Sequence, residues 1–196
     1  MKKRITLTSI ILCAVFGLIY TGVEYFYFPN NYAIGEAIDS LNGVKVYFNG
    51  KVGNVHGRNV KEGYNVGLKY QCVEFVKRYY YEYLQHKMPD SYGHAVSFFD
   101  PDIVDGEHNA KRNLTQFTHP STSKPMVNDL IVMDGTRFNQ YGHVVIVSKV
   151  MDEYIEIIQQ NPGAAAPSRQ IYRLSQNAEG KWEIRHKRIL GWLRKL

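Results

Sequence analysis

The chain has 196 residues, of which 44% are hydrophobic and 21% are charged, and its formal net charge at pH 7 is +6. This length and composition are typical of one globular domain with a sizeable core plus an appendage, and they exclude a low-complexity chain. The basic excess is mild and is not clustered into a stripe, so no nucleic-acid partner is expected, although the charge would suit an anionic polymer such as a cell wall.

The N-terminal segment is basic and then apolar. A short basic start precedes residues 5–23, which carry no charged side chain and would span about 28 Å as a helix, close to the hydrocarbon thickness of a bilayer. The basic flank predicts that this end stays in the cytoplasm and that the remainder lies outside, in the periplasm or the extracellular space. A cleaved signal peptide is the alternative, but no Ala-x-Ala-type site follows the apolar run. We expect residues 1–30 to form a signal anchor and residues 31–196 to form the exported domain.

The sequence contains two cysteines, Cys13 and Cys72. Because Cys13 lies inside the apolar segment, it cannot sensibly pair with Cys72, and no disulfide framework is predicted. A lone unpaired cysteine in an exported domain points to a reactive thiol.

The first part of the domain is predicted to contain little regular structure. Residues 33–41 are compatible with a short helix, and residues 44–48 have the pattern of a strand. Residues 50–67 are rich in glycine, asparagine and charge without sustained periodicity, so they are predicted to be loop.

Residues 72–84 give the best helix of the sequence. Val73, Val76 and Tyr80 recur at helical spacing and predict one apolar face. Glu74 and Arg78 are four residues apart on another face, where they can form an ion pair.

The second part of the domain is predicted to be mostly strands. Residues 89–125 are irregular, with one helical turn near 94–99. The predicted strands are 130–133, 144–150, 154–158, 169–174, 182–185 and 189–193. A helix followed by a run of strands indicates an α+β fold with an antiparallel sheet.

Cys72 and His143 are the candidates for chemistry. Cys72 begins the predicted helix, whose unpaired N–H groups favour a thiolate, and His143 stands at the start of a predicted strand. A thiol and an imidazole that meet in space are a nucleophile and its base. The alternatives are a small buried cysteine and a surface histidine, one of seven histidines in the chain.

A third group should orient the imidazole, and two amides are available. Gln159 and Asn161 both follow the strand that neighbours that of His143, and either side chain can accept a hydrogen bond from the ring. Gln71 can polarise a substrate carbonyl together with the backbone N–H of the nucleophile, and Gly142 leaves room for a substrate backbone.

Other chemistry has weaker support. Residues 100–107 resemble a calcium loop, but the third aspartate comes one residue late, and a solvated acidic turn is the preferred interpretation. No histidine or cysteine pair has zinc-site spacing. We therefore expect no metal and no cofactor.

Several blocks of the sequence together resemble a known family. They are Tyr70-Gln71-Cys72-Val73-Glu74-Phe75, Asp129-Leu130-Ile131-Val132, Gly142-His143-Val144, Gln160-Asn161 and Ile189-Leu190-Gly191-Trp192. In this order they are similar to the CHAP family of cysteine, histidine-dependent amidohydrolases/peptidases, and closest to the amidase domain of glutathionylspermidine synthetase/amidase. The resemblance implies that residues 31–196 are a CHAP amidase domain.

The resemblance also implies a fold and site roles. It implies a papain-like α+β fold in which an N-terminal helix carries the nucleophile and packs on an antiparallel sheet, with Cys72 as nucleophile and His143 as base. The family commonly has Glu-x-Asn after the histidine strand, whereas this chain has Gln159 at the glutamate position and Asn161 at the asparagine position. The missing carboxylate leaves an inactive relative as one alternative.

The function expected from these features is an exported cysteine amidase/peptidase. It would hydrolyse peptidoglycan peptides through an acyl-enzyme, with the membrane contacted by the N-terminal segment. A glutathionylspermidine-type amidase and a catalytically inactive CHAP-like binding module are the alternatives.

Overall fold

The computed structural model describes residues 13–15, 17, 32–137, 139–163 and 166–196. The chain divides into two compact units, Met1–Tyr32 and Ala33–Leu196. In the first unit, residues 13–15 and 17 are helical, and the side chain of Cys13 is exposed. Among the described residues there is no helix whose length and apolar character would carry it through a bilayer. Most of the predicted anchor, residues 1–30, lies outside the described residues.

Within the second unit, the described residues form twelve strands, one α-helix and one turn of 3-10 helix. The elements are β1 (Ala37–Leu41), β2 (Val44–Tyr47), β3 (Arg58–Lys61), β4 (Tyr64–Leu68), α1 (Cys72–Glu82), the 3-10 turn η1 (Val96–Phe98), β5 (His108–Asn109), β6 (Leu114–Thr118), β7 (Leu130–Met133), β8 (His143–Val150), β9 (Tyr154–Ile158), β10 (Arg169–Gln176), β11 (Trp182–Ile184) and β12 (Ile189–Arg194).

Eight of these strands form one antiparallel sheet in the order β11-β10-β9-β8-β7-β12-β6-β5. The remaining strands pair as two hairpins, β1 with β2 and β3 with β4. The described structure is therefore mostly sheet with few helices, as the prediction of an α+β fold with an antiparallel sheet requires. The strands predicted from 130 onward are confirmed with small shifts at their ends.

The central strand β8 is buried on both faces because its side chains alternate between two apolar clusters. Val144 and Ile146 belong to the cluster that includes residues of α1. Val145 and Val147 belong to the cluster on the other face, which contains Trp192. This double burial fixes the position of the start of β8, where His143 lies.

Helix α1 confirms the predicted helix and its apolar face, since Val76 and Tyr80 lie in the core and Val73 packs against it. It begins at Cys72 as predicted, and it buries Phe75, Val76, Tyr79 and Tyr80. The predicted ion pair is present, with 2.7 Å between Arg78 Nε and Glu74 Oε1, and both side chains are buried.

Two predictions for the first part of the domain are wrong. Residues 33–41 hold strand β1 instead of a helix, and residues 50–67 contain β3 and most of β4 instead of loop. Both hairpins turn through a residue pair with positive φ, Asn42-Gly43 in the first hairpin and Glu62-Gly63 in the second. Asn-Gly is a strong hairpin signal because both residues tolerate positive φ. The irregular stretch 89–125 also contains β5 and β6.

Candidate active site

The thiol of Cys72 lies at the first residue of α1. Burial raises the pKa of this thiol, and hydrogen bonds from the backbone N–H groups of Val144, Val73 and Cys72 itself oppose that rise. The helix contributes two of these groups because the N–H groups of its first turn have no partner within the helix. Three N–H groups therefore face the sulfur, and in the resting protein the burial keeps the thiol protonated.

Val144 directly follows His143, and its N–H group faces the thiol, so the backbone at the start of β8 lies beside the first turn of α1. The side chain of His143 is buried, with 8% of its surface exposed. The backbones of the two residues that the sequence pairs therefore come together where the first turn of α1 meets the first residues of β8, and the contact between thiol and imidazole stays a prediction.

Gln159 holds the imidazole by one ring nitrogen. Its Oε1 lies 3.0 Å from Nε2 of His143, and its own Nε2 donates to the carbonyl oxygen of Pro167 at 3.0 Å. Because the amide is oriented by this second bond, its oxygen faces the ring and can only accept. The geometry therefore assigns the proton to Nε2 of His143 and leaves Nδ1 as the basic nitrogen.

The imidazole is neutral under ordinary conditions. Burial lowers the pKa of His143 to about 4, while the hydrogen bond to Gln159 opposes this and the positive charge of Arg188 adds to it. A buried neutral imidazole and a half-buried neutral thiol can act as a base and its proton donor without a resident ion pair.

Asn161 is bound elsewhere in the site. Its Nδ2 donates to Oε1 of Gln71 at 2.7 Å and to the carbonyl of Val52 at 3.0 Å. Of the two amides predicted to orient the imidazole, Gln159 contacts the ring, and Asn161 fastens the residue before the nucleophile to the loop that contains Val52.

The amide of Gln71 is engaged within the protein. Its Nε2 donates to the carbonyls of Asn54 at 2.8 Å and Val52 at 3.2 Å, and its Oε1 accepts from Asn161. Both amide hydrogens are therefore used, and the side chain can polarise a substrate carbonyl only by giving up one of these bonds. The predicted oxyanion role of Gln71 stays a prediction.

The backbone conformation and the close packing around position 142 explain why this residue is a glycine. Its φ is +74°, and a Cβ at this position would lie 2.5 Å from the carbonyl oxygen of Met133 and 3.2 Å from Val96. The space beside this glycine is filled by protein, so the prediction that it leaves room for a substrate backbone is wrong on that side. Glycine is required because of the positive φ and the close approach of Met133.

Gln160 is a residue whose role sequence reasoning missed. It is fully buried, and its Oε1 accepts from the backbone N–H of Tyr47 at 2.7 Å. Its Nε2 donates to the carbonyl of Gln71 at 3.0 Å and to Oε2 of Glu74 at 2.9 Å. Gln160 thereby joins β2, the residue before the nucleophile and the first turn of α1. A glutamine between two candidate site residues was the only signal in the sequence.

Among the described residues there is no cluster of three or more histidine, cysteine or acidic side chains that could hold a metal ion. In the predicted acidic turn, Asp105 accepts from the backbone N–H of Thr118 and from Oγ of Ser121, and Asp100 pairs with Lys111. These carboxylates are engaged in structural hydrogen bonds.

Comparison with known proteins identifies the family. The family model described as CHAP domain matches residues 62–161, about half of the chain, and the chain belongs to this family of amidohydrolases. This confirms the family predicted from the motifs. A curated relative, trypanothione synthetase from Crithidia fasciculata, is 28% identical over 104 residues, which cover 53% of this chain and 16% of that protein.

Two solved structures also share short regions with the chain. "The crystal structure of Ly7917" is 29% identical, with 38% of this chain and 29% of that chain covered and a TM-score of 0.28. "The crystal structure of Ly7917 with the hydrolyzing product of MDP" is 24% identical, with 48% and 39% covered and a TM-score of 0.30. TM-scores this low support no conclusion about fold or ligand.

Proposed function

We propose that this CHAP domain is a cysteine amidase or peptidase with a papain-like arrangement, in which Cys72 is the nucleophile and His143 the general base. The observation that supports this best is the bond from Nε2 of His143 to Gln159. With the proton on Nε2, the Nδ1 atom of His143 can take up a second proton. The next residue, Val144, is the one whose backbone N–H faces the thiol.

The proposed reaction starts from two neutral groups. Nδ1 of His143 removes the thiol proton as the sulfur of Cys72 attacks the amide carbonyl, and the oxyanion accepts a hydrogen bond from the backbone N–H of Cys72. The imidazolium returns the proton to the leaving amine, and an acyl-enzyme remains. Water, deprotonated by the imidazole, then releases the acid and regenerates the thiol.

Peptidoglycan peptides are the proposed substrate, and the proposed location is outside the cytoplasm with a membrane anchor at residues 1–30. This rests on the apolar N-terminal segment, the mild basic charge and the family analogy. The similarity to trypanothione synthetase specifically favours a second candidate, an amide of the glutathionylspermidine type. A CHAP-like module that binds without hydrolysis is the third.

Digestion of purified sacculi by the full chain tests the proposal. We expect released muropeptides, and we expect Cys72→Ala to lower the rate by a factor on the order of 10⁴. Cys13→Ala is the matched control, because it removes the other thiol of the chain, and it should keep full activity. Iodoacetamide should modify Cys72 and stop the reaction.

The outcomes separate the candidates. If sacculi release nothing although Cys72 is alkylated, peptidoglycan is not the substrate, and cleavage of glutathionylspermidine in a parallel assay would select the second candidate. If Cys72→Ala performs as well as the wild type in every assay that responds, the cysteine mechanism is wrong.

A further inference from the structure

A pair of contacting, tilted rings includes a residue that lies just before the candidate base in the chain. Tyr141 precedes His143 by two residues, and its ring lies 4.5 Å from the ring of His94, measured between centroids, with 35° between their planes. Both side chains are exposed, Tyr141 by 54%. Because both side chains are exposed, the pair contributes little to the core, and its outer surface is open to a ligand.

The loop that carries His94, residues 90–97, is held by hydrogen bonds from two buried cationic side chains. The guanidinium of Arg112 donates to the carbonyls of Asp90 at 2.7 Å, Tyr92 at 3.3 Å and Ser97 at 3.0 Å. The ammonium of Lys77 donates to the carbonyl of Ser91 at 2.7 Å. Because hydrogen bonds to charged donors are strong, this loop is held in one conformation before any ligand arrives.

The same loop is joined to the start of β8 on the side that faces α1. The backbone N–H of Val96 donates to the carbonyl of Tyr141 at 3.0 Å, and Val96 fills the space beside Gly142. Ala95 belongs to the buried cluster against which Cys72 packs. Tyr141 is three residues before Val144, whose N–H group faces the thiol, so the tyrosine of the ring pair belongs to the segment that leads directly to the thiol site.

We propose that Tyr141 and His94 form a substrate subsite that packs against the peptide segment adjoining the scissile amide. The choice of a peptide rests on the proposed function. Rigid aromatic side chains give a large contact area and lose little conformational entropy on binding, which is the arrangement found in pockets that position a ligand. The rings of Tyr70 and His56 make a similar contact, with 5.5 Å between their centroids. The hydroxyl of Tyr70 packs against Gly35, however, so we assign that pair to the fold.

Kinetics on a soluble stem peptide and its sugar-bearing muropeptide test the subsite. We expect Tyr141→Ala and His94→Ala each to raise KM about tenfold with kcat within about twofold of the wild type. Tyr141→Phe keeps the aromatic ring and should keep the wild-type KM. Tyr154→Ala is the matched control, because this tyrosine is 43% exposed on β9 and should be silent when replaced. The rate of alkylation of Cys72 by iodoacetamide should be unchanged in all four variants.

Three results would overturn the subsite. Unchanged KM in both alanine variants would show that the rings do not touch the substrate. Slower alkylation together with lower kcat would show that they act on the thiol. A loss confined to the sugar-bearing muropeptide would assign the rings to the glycan.

A wild type that cleaves neither compound would contradict the proposed function and not yet the subsite. In that case, equilibrium binding of the same two compounds to Cys72→Ala decides. Binding of the stem peptide that weakens about tenfold when Tyr141→Ala is added supports the subsite. Equal or absent binding rejects it.

Discussion

The two sides of the candidate site are held by different kinds of interaction. On the imidazole side, His143 is held by the amide of Gln159, and that amide is held by the carbonyl of Pro167. This series of hydrogen bonds contains no formal charge, and the side chains of His143 and Gln159 are both buried.

On the thiol side, the start of α1 is anchored by charge. Gln160 binds the carbonyl of Gln71 and the carboxylate of Glu74, which pairs with Arg78 inside the protein. Asn59 donates a further hydrogen bond to the same carboxylate at 2.8 Å.

The contrast between the neutral imidazole side and the charged thiol side suggests that the two sides have different roles. A neutral partner leaves the imidazole with a low pKa, so the imidazole side sets the reactivity of the pair. A buried ion pair that loses one member is left with an uncompensated charge, so the thiol side sets the stability of the helix that carries the nucleophile. Substitutions on the thiol side should mainly change folding, and substitutions on the imidazole side should mainly change activity.

The largest effect is expected from Glu74→Gln. Because Arg78 would keep its charge inside the protein without a carboxylate, we expect a loss of about 3–5 kcal/mol in the free energy of unfolding. Urea denaturation measures it. Glu82→Gln is the matched control on the same helix, since its partner Lys61 is solvent-exposed, and that change should cost about 0–1 kcal/mol. Equal losses in the two variants would contradict a special role for the buried pair.

The imidazole side predicts how stability depends on pH. The folded chain takes up a proton on His143 only near pH 4, whereas the unfolded chain does so near 6.5. Between these values the unfolded state binds more protons, so stability falls as the pH is lowered through this window and stops falling for this reason below about 4. The loss is on the order of 3 kcal/mol.

His143→Asn should flatten that dependence. Burial also lowers the pKa of His86, His119 and His186, so the variant keeps a slope of the same sign from those groups. The difference between the slopes of wild type and variant, from urea titrations at a series of pH values, reports His143 alone. Parallel slopes would mean that the imidazole is not buried neutral.

A smaller loss is expected from Gln160→Met, which keeps the volume and removes the amide. The carbonyl of Gln71 keeps the N–H of Phe75, and the carboxylate of Glu74 keeps its bonds to Asn59 and Arg78. The N–H of Tyr47 loses the oxygen that accepts from it, so we expect a cost of about 1–3 kcal/mol, as for one buried group left unpaired. Thermal and urea denaturation measure the cost. Gln159→Met is the comparison at the neighbouring position, and it should lower kcat more than it lowers stability. The reverse order would break the division between the two sides.

The sequence predicts the strands from residue 130 onward and the start of α1 at Cys72 but not the whole site, and the pairing of the Cys72 thiol with the His143 imidazole stays a prediction. Strands β7, β8 and β9 carry runs rich in aliphatic and β-branched residues that are typical of a buried sheet, so they were predictable. The alternation of β2 predicted that strand, whereas β1 and β3 are half-exposed and give no hydrophobic pattern, although Asn42-Gly43 marked the first turn. Strand β4 is buried but contains Asn65 and Gly67, which obscure its pattern.

The choice between Gln159 and Asn161 required the structure. Simple alternation would put both side chains on one face of an extended strand. Strand β9 ends at Ile158, however, and Asn161 has a φ of +54°, which turns its side chain toward Gln71. A local backbone conformation thus decided which amide reaches the imidazole.

The smallest effect, and the sharpest test of the imidazole side, is expected from Gln159→Glu, which supplies the carboxylate common in the family. A carboxylate 3.0 Å from Nε2 would stabilise the imidazolium and raise the pKa of His143. More of the thiol would then exist as thiolate in an ion pair, so alkylation of Cys72 near pH 6 should become about tenfold faster, equivalent to about 1.4 kcal/mol. The gain is limited because a carboxylate cannot donate to Pro167. Gln159→Met should slow the alkylation of Cys72. If the alkylation rate is the same in both variants as in the wild type, Gln159 does not set the basicity of His143.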